Sequence, residues 1–115
     1  MHQVMVIAGT RPEAIKLAPV LLALKHSPVL QSVLCSAGQH HEMLRQAWEA
    51  FGLTPDINMD VMTSSQTLAG LSARLFGSVD AELEAHKPDF LLVQGDTTTV
   101  MVAATCAFYR NIPVG

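Results

Sequence analysis

The sequence predicts an α/β fold, a Rossmann-like parallel sheet with helices on both faces. Three observations carry that prediction. Apolar, β-rich runs alternate along the chain with stretches of helical periodicity. The apolar runs lack a clean in/out alternation, as expected of strands covered on both faces. Three of them lead into a glycine, at Gly9, Gly38 and Gly95. With 115 residues, half of them apolar, the chain has material for one domain around a single core.

Gln3 to Ala8 reads as the first and a central strand. Gly9 supplies a tight turn, and Thr10-Arg11-Pro12-Glu13 has the Thr-x-x-Glu pattern of a capping box opening a helix. Pro19 falls inside that helix and removes the bond to the carbonyl of Ile15, so a kink or tightening is expected there. His26-Ser27-Pro28 turns the chain into a second strand, Val29 to Cys35, which ends at Ser36-Ala37-Gly38. His41 to Phe51 carries Met43, Ala47, Ala50 and Phe51 near helical spacing, with Gly52 placed to cap the C-terminus. Residues 53–65 read as loop, with at most a short strand near Ile57 to Met59.

Ser64 or Ser65 can cap the next helix, whose Leu68, Leu71, Leu75, Val79 and Leu83 recur at spacings of three and four. Lys87-Pro88-Asp89 stops it and leads into the strand Phe90 to Val93 and the turn Gln94-Gly95-Asp96. Thr97 to Thr99 can cap a last helix, Val100 to Tyr109, apolar nearly all round and expected to be buried. The final residues, Asn111 to Gly115, read as the start of another strand, so the chain is expected to stop short of the end of its domain.

In parallel sheets ligands sit beyond the carboxyl ends of the strands, which gathers Arg11, Gln39, His40 and Asp96 on one rim. A helix N-terminus has unpartnered N–H groups and partial positive charge, and binds phosphate. Arg11 adds a planar fork for bidentate phosphate contact, and Lys16, roughly one turn on, a point charge. Together they suggest a diphosphate-sized ligand. The competing reading is an ordinary surface pair of Glu13 and Lys16 beside a solvated Arg11. Asp96 follows a strand and a glycine and precedes three threonines: it can cap the helix through the N–H of Thr98 or Thr99, or do acid/base work at the rim. The stretch is neither a dinucleotide fingerprint nor a Walker loop, having one glycine and no Gly-Lys-Ser/Thr.

Several classes are disfavoured. A formal charge of −3 with seven scattered Lys and Arg argues against nucleic-acid binding. No apolar run approaches the roughly 20 residues that span a bilayer, so no membrane insertion is expected. Without a signal peptide, and with Cys35 and Cys106 inside apolar runs, the chain reads as cytoplasmic with buried thiols. His40-His41-Glu42 fails as a zinc helix because Arg45 stands where the second ligand belongs, so no metal and no cofactor are expected.

Taken together, Gly9 to Pro19, Gly38-Gln39-His40, Gln66-Thr67-Leu68, Lys87-Pro88-Asp89 and Gly95 to Thr99 resemble the non-hydrolysing UDP-N-acetylglucosamine 2-epimerases. The resemblance runs the whole length in order. It implies a two-domain, glycosyltransferase-B-like enzyme with its active site between two Rossmann-like halves. Residues 1–115 would be most of the first half, and the second nucleotide-binding domain would be absent from this chain. It also implies interconversion of UDP-GlcNAc and UDP-ManNAc, a homodimeric full-length form and a place in cell-surface polysaccharide biosynthesis. By position in matching motifs, Arg11, Lys16 and Asp96 are substrate-site residues, with Asp96 catalytic. Some members use the Gln-His turn, here Gln39 and His40, for a second, regulatory UDP-GlcNAc; the arginine that accompanies it is Ser65 here, and Glu42 stands where an amide can occur. Two alternatives remain open: half of a glycosyltransferase that moves the sugar, or a stand-alone α/β nucleotide-binding module.

Overall fold

A computed structural model of the chain describes residues 1–38, 41–61 and 66–115. Among these the elements run β1 (His2–Ala8), α1 (Arg11–Lys25), β2 (Leu30–Ser36), α2 (His41–Ala50), β3 (Ile57–Asn58), α3 (Leu68–His86), β4 (Phe90–Leu92) and α4 (Thr98–Tyr109). The strands form one parallel sheet in the order β3-β2-β1-β4. Val114 pairs in parallel with Leu91, extending the pairing beyond β4.

Both faces of the sheet are covered, and β1 shows why its sequence has no polar side. Val4, Val6 and Ala8 pack with Leu17, Leu21, Leu44 and Trp48 of α1 and α2. Met5 and Ile7 face the other way, onto Leu71, Leu75, Val79 and Leu83 of α3 and Val102 and Cys106 of α4. Every residue from Val4 to Ala8 is therefore buried, and each alternate one belongs to a different core.

The helices depart from expectation in instructive ways. α1 continues through Pro19 to Lys25. Pro19 and Ile15 are both exposed, so the carbonyl that loses its partner lies on the solvent side. In α2 the buried stripe is Leu44, Ala47 and Trp48, while Met43 and Phe51 are exposed. Trp48 can be fully buried because its indole N–H donates to the Ser36 hydroxyl at 3.3 Å. α3 has the expected buried stripe, capped by Thr67, whose hydroxyl accepts from the Gly70 N–H at 3.0 Å. The serines expected as caps, Ser64 and Ser65, lie outside the described residues. α4 is buried on one face only: Val102, Ala103, Cys106 and Ala107 pack inward, whereas Met101, Phe108 and Tyr109 are exposed.

The two short strands are entered by the same device. Asp56, just before β3, accepts from the Leu34 N–H through its side chain at 2.8 Å, and its own N–H donates to the Leu34 carbonyl. Asp89, just before β4, does the same with Gln3, accepting at 2.7 Å and donating at 2.9 Å. Each follows a proline, at Pro55 and Pro88.

Cys35 is fully buried beneath α3, and burial, followed by the nearby charge of Glu82, pushes its thiol up to about 12. The thiol of an unfolded chain ionises near 8.5, so this group's contribution to stability is complete below that pH and is lost as the pH rises toward 12. Iodoacetamide at pH 8 should leave Cys35 unlabelled in the native chain and label it in urea, as read by mass spectrometry. Fast native labelling would contradict the packing.

Candidate functional site

The strand order reverses at β1. The chain moves from β1 out to β2 and β3, then returns to add β4 on the other side of β1. The loop after β1 leads to α1 on one face and the loop after β4 leads to α4 on the opposite face. Between the carboxyl ends of these strands lies the topological switch point, where open α/β sheets bind ligands.

Gly9 leaves β1 with no room for a side chain: an added Cβ would lie 2.4 Å from the Thr99 hydroxyl oxygen. Thr10 then takes an extended conformation and caps α1, its hydroxyl accepting from the Glu13 N–H at 3.5 Å. Glu13 does not complete the usual capping box on the Thr10 N–H. Its carboxylate instead accepts from the Gly9 N–H at 3.3 Å and from the Thr10 hydroxyl at 2.5 Å. One of its oxygens also accepts from the Thr97 hydroxyl at 3.3 Å, across the switch point. Glu13 is only 2% exposed, which overturns its reading as half of a surface pair with Lys16.

On the β4 side, Gly95 turns the chain with a φ of +105° that few other residues adopt. A Cβ added there would come within 3.7 Å of the Glu13 Cγ, so this turn faces the same side chain. Thr97 caps α4, accepting from the Val100 N–H at 3.5 Å. Asp96 therefore is not the cap, because the helix begins one residue too late for its side chain to serve. It is exposed and directly precedes Thr97, which bonds Glu13.

Of the residues singled out from sequence, Arg11 is the first residue of α1 and exposed. Lys16 is exposed on the same helix, five residues on, hence about 7.5 Å along the axis and about 140° round from Arg11. Arg11, Lys16 and Asp96 make no ion pair or side-chain hydrogen bond among the described residues. The Arg11 and Asp96 loops are brought together; Gln39 and His40 lie outside the described residues. Gly38 follows β2 on the same carboxyl edge, where Ser36 pairs with Ala8.

A cleft of about 130 Å³ lies at the start of α1, lined by Gly9, Thr10, Arg11, Pro12, Met43 and Leu44. A larger one of about 390 Å³ opens further along the rim beside Trp48, Arg45 and Asn58. Its cation is already engaged, since the Arg45 guanidinium bonds Glu42 and, at 2.6 Å, Glu49, and it offers an anion less than the free Arg11 does. Glu42 is correspondingly held below the usual carboxylate range by Arg45. Among the described residues no group of three or more His, Cys, Asp or Glu could hold a metal, and no helix is long and apolar enough to cross a membrane.

Sequence reasoning missed Glu13 as the centre of this arrangement. Its capping-box position was visible, but nothing local signals that its carboxylate reaches a threonine 84 positions away.

Comparison with known proteins places these features in context. A family model described as UDP-N-acetylglucosamine 2-epimerase matches residues 22–115. The UDP-N-acetylglucosamine 2-epimerase of Escherichia coli strain K12 is 41% identical over 98% of this chain and 30% of its own length. The crystal structure of UDP-GlcNAc 2-epimerase from Neisseria meningitidis bound to UDP-GlcNAc superposes with a TM-score of 0.94 at 42% identity, covering 98% of this chain and 30% of that one. The C-terminal domain of a hydrogenase from Pyrococcus furiosus shares the fold alone, with a TM-score of 0.73 at 16% identity over 99% of this chain and 89% of that one. The architecture therefore does not select a chemistry, whereas the epimerase likeness rests on residues. The chain spans about 30% of the length of the curated relatives it matches.

The close approach at Gly9 has a measurable cost. Gly9→Ala should destabilise the fold by about 1–3 kcal/mol in urea unfolding, because the methyl must displace Thr99 at the start of α4. Gly77→Ala, in α3 with nothing within 4 Å of its added Cβ, should be neutral or stabilising by about 0.5–1 kcal/mol.

Proposed function

Because this chain belongs to the UDP-N-acetylglucosamine 2-epimerase family, we propose that it forms the first Rossmann-like part of a two-domain isomerase that interconverts UDP-GlcNAc and UDP-ManNAc. In this reading the second nucleotide-binding domain lies outside residues 1–115, and the chain alone is inactive because half of the cleft is missing. The full-length enzyme is taken to be a cytoplasmic homodimer serving cell-surface polysaccharide synthesis.

The observation that carries the site assignment is the junction at the switch point, where the loop bearing Arg11 and the loop bearing Asp96 share one buried carboxylate. The chemistry follows from the substrate. The C2 proton of the sugar is not adjacent to a carbonyl, so simple deprotonation there is difficult. Loss of UDP across C1 and C2 gives a glycal, which can take a proton from the other face as UDP adds back. Departure of UDP builds negative charge on the diphosphate, and Arg11, whose guanidinium and backbone N–H stand at the positive end of the α1 dipole, is suited to stabilise it as it forms. Lys16 adds a cation on the same helix. Asp96, a carboxylate without a side-chain partner among the described residues, moves the C2 proton on one face of the sugar. The acid/base group for the opposite face is assigned to the part of the enzyme beyond this chain.

In the full-length enzyme, Asp96→Asn should lower kcat by about 10²–10⁴ with little change in KM. Arg11→Ala should weaken UDP binding at least ~10-fold, as expected for loss of a bidentate charged contact. Both are read by NMR of the two UDP-sugars and by UDP titration. Residues 1–115 alone should give no interconversion; turnover by that fragment, or full activity of Asp96→Asn, would sink the assignment.

A further inference from the structure

The three donors on Glu13 do more than neutralise a buried charge. Thr10 and Thr97 are the N-caps of α1 and α4, helices on opposite faces of the sheet, and each hydroxyl has one proton and two lone pairs. In each a lone pair accepts from its own helix, from the Glu13 N–H in one and the Val100 N–H in the other. The single proton of each goes to the same carboxylate oxygen, Oε2 of Glu13. The other oxygen takes the Gly9 N–H. Two helix starts are thus tied through one atom, and the residues they carry outward are Arg11 and Asp96.

We infer that Glu13 is a positioning residue, whose carboxylate sets the register between the diphosphate-binding loop of Arg11 and the proton-transfer loop of Asp96. The inference takes the isomerase reading as its setting. Glu13 is 2% exposed and its carboxylate is engaged by three internal donors, so it acts through the two loops. A carboxylate is required, because both oxygens must accept. A glutamine would either set its amide N–H against the Gly9 N–H or leave two hydroxyl protons without an acceptor.

The test uses the full-length enzyme. In the Glu13→Gln variant, amides of residues 95–100 should exchange at least tenfold faster while those in the middle of α3 are unchanged. The α4 cap hydroxyl is still present in that variant, so faster exchange reports the lost tie and not a lost cap. Thr97 separates the roles further. Thr97→Ser keeps both capping and donation and should retain kcat within twofold. Thr97→Gly, a residue well tolerated at an N-cap, has no hydroxyl to donate and brings no second charge beside Glu13, and should lower kcat at least tenfold with the melting temperature of the Ser variant nearly kept.

If Thr97→Gly is as active as Thr97→Ser, or if exchange at residues 95–100 is unchanged in Glu13→Gln, the inference is wrong. Should Glu13→Gln fail to fold, the Ser and Gly pair decides alone. Should the wild-type enzyme not interconvert UDP-sugars, the isomerase reading falls, while the exchange measurement still decides whether Glu13 couples the loops.

Discussion

A carboxylate removed from water must be compensated, since an unpaired buried charge costs on the order of several kcal/mol. Glu13 meets that requirement with three donors from two loops, and it sits at the start of α1 where the helix dipole also favours an anion. The surrounding geometry follows from keeping those donors in place. Gly9 must lack a side chain for α4 to come near, and Gly95 must turn through a left-handed conformation to bring Thr97 within reach. The strand reversal at β1 supplies the two loops.

Two of the seven Lys and Arg residues are committed to the scaffold among the described residues. Arg45 bonds two carboxylates on its own helix, and Arg110 joins α4 to α3 through a two-nitrogen contact with Asp80 and a further bond to Glu84. Asp80 is held below the usual carboxylate range by that guanidinium. These cations are committed to local structure. Arg11, Lys16 and Asp96 have no such commitment among the described residues, and an ionic side chain left free beside a helix start is suited to a charged ligand. The larger cleft beside Trp48 has the volume without the free charge.

What was legible in the sequence was local or periodic. The alternation of strands and helices, the leucine stripe of α3, a threonine cap for α4 within Thr97 to Thr99 and the turn at Gly95 follow from residue spacing and backbone preference, and all are found. Failures came where tertiary contact decides. Of the expected α2 stripe of Met43, Ala47, Ala50 and Phe51 only Ala47 is buried; the sheet selects Leu44 and Trp48 beside it, helped by a serine hydroxyl on β2 that satisfies the indole. The apolar composition of α4 suggested complete burial, yet Phe108 and Tyr109 are exposed because the sheet and α3 cover only one side. Asp96 resembled a cap until the helix began at the next threonine. Glu13 resembled a surface residue because its decisive partner is remote in the chain.

The paired prolyl-aspartates ahead of β3 and β4 carry a consequence for assembly. A carboxylate offers lone pairs and no proton, so each can engage a neighbouring N–H but not a carbonyl, while its own amide needs the carbonyl of that same residue. Leu34 and Gln3 satisfy both halves at once; a slip of one position would turn a peptide the wrong way and leave both unmet. Strands of two and three residues have little ladder with which to choose an alignment. In this chain the choice is made at the threshold, by a two-pronged lock that accepts one neighbour and rejects the next.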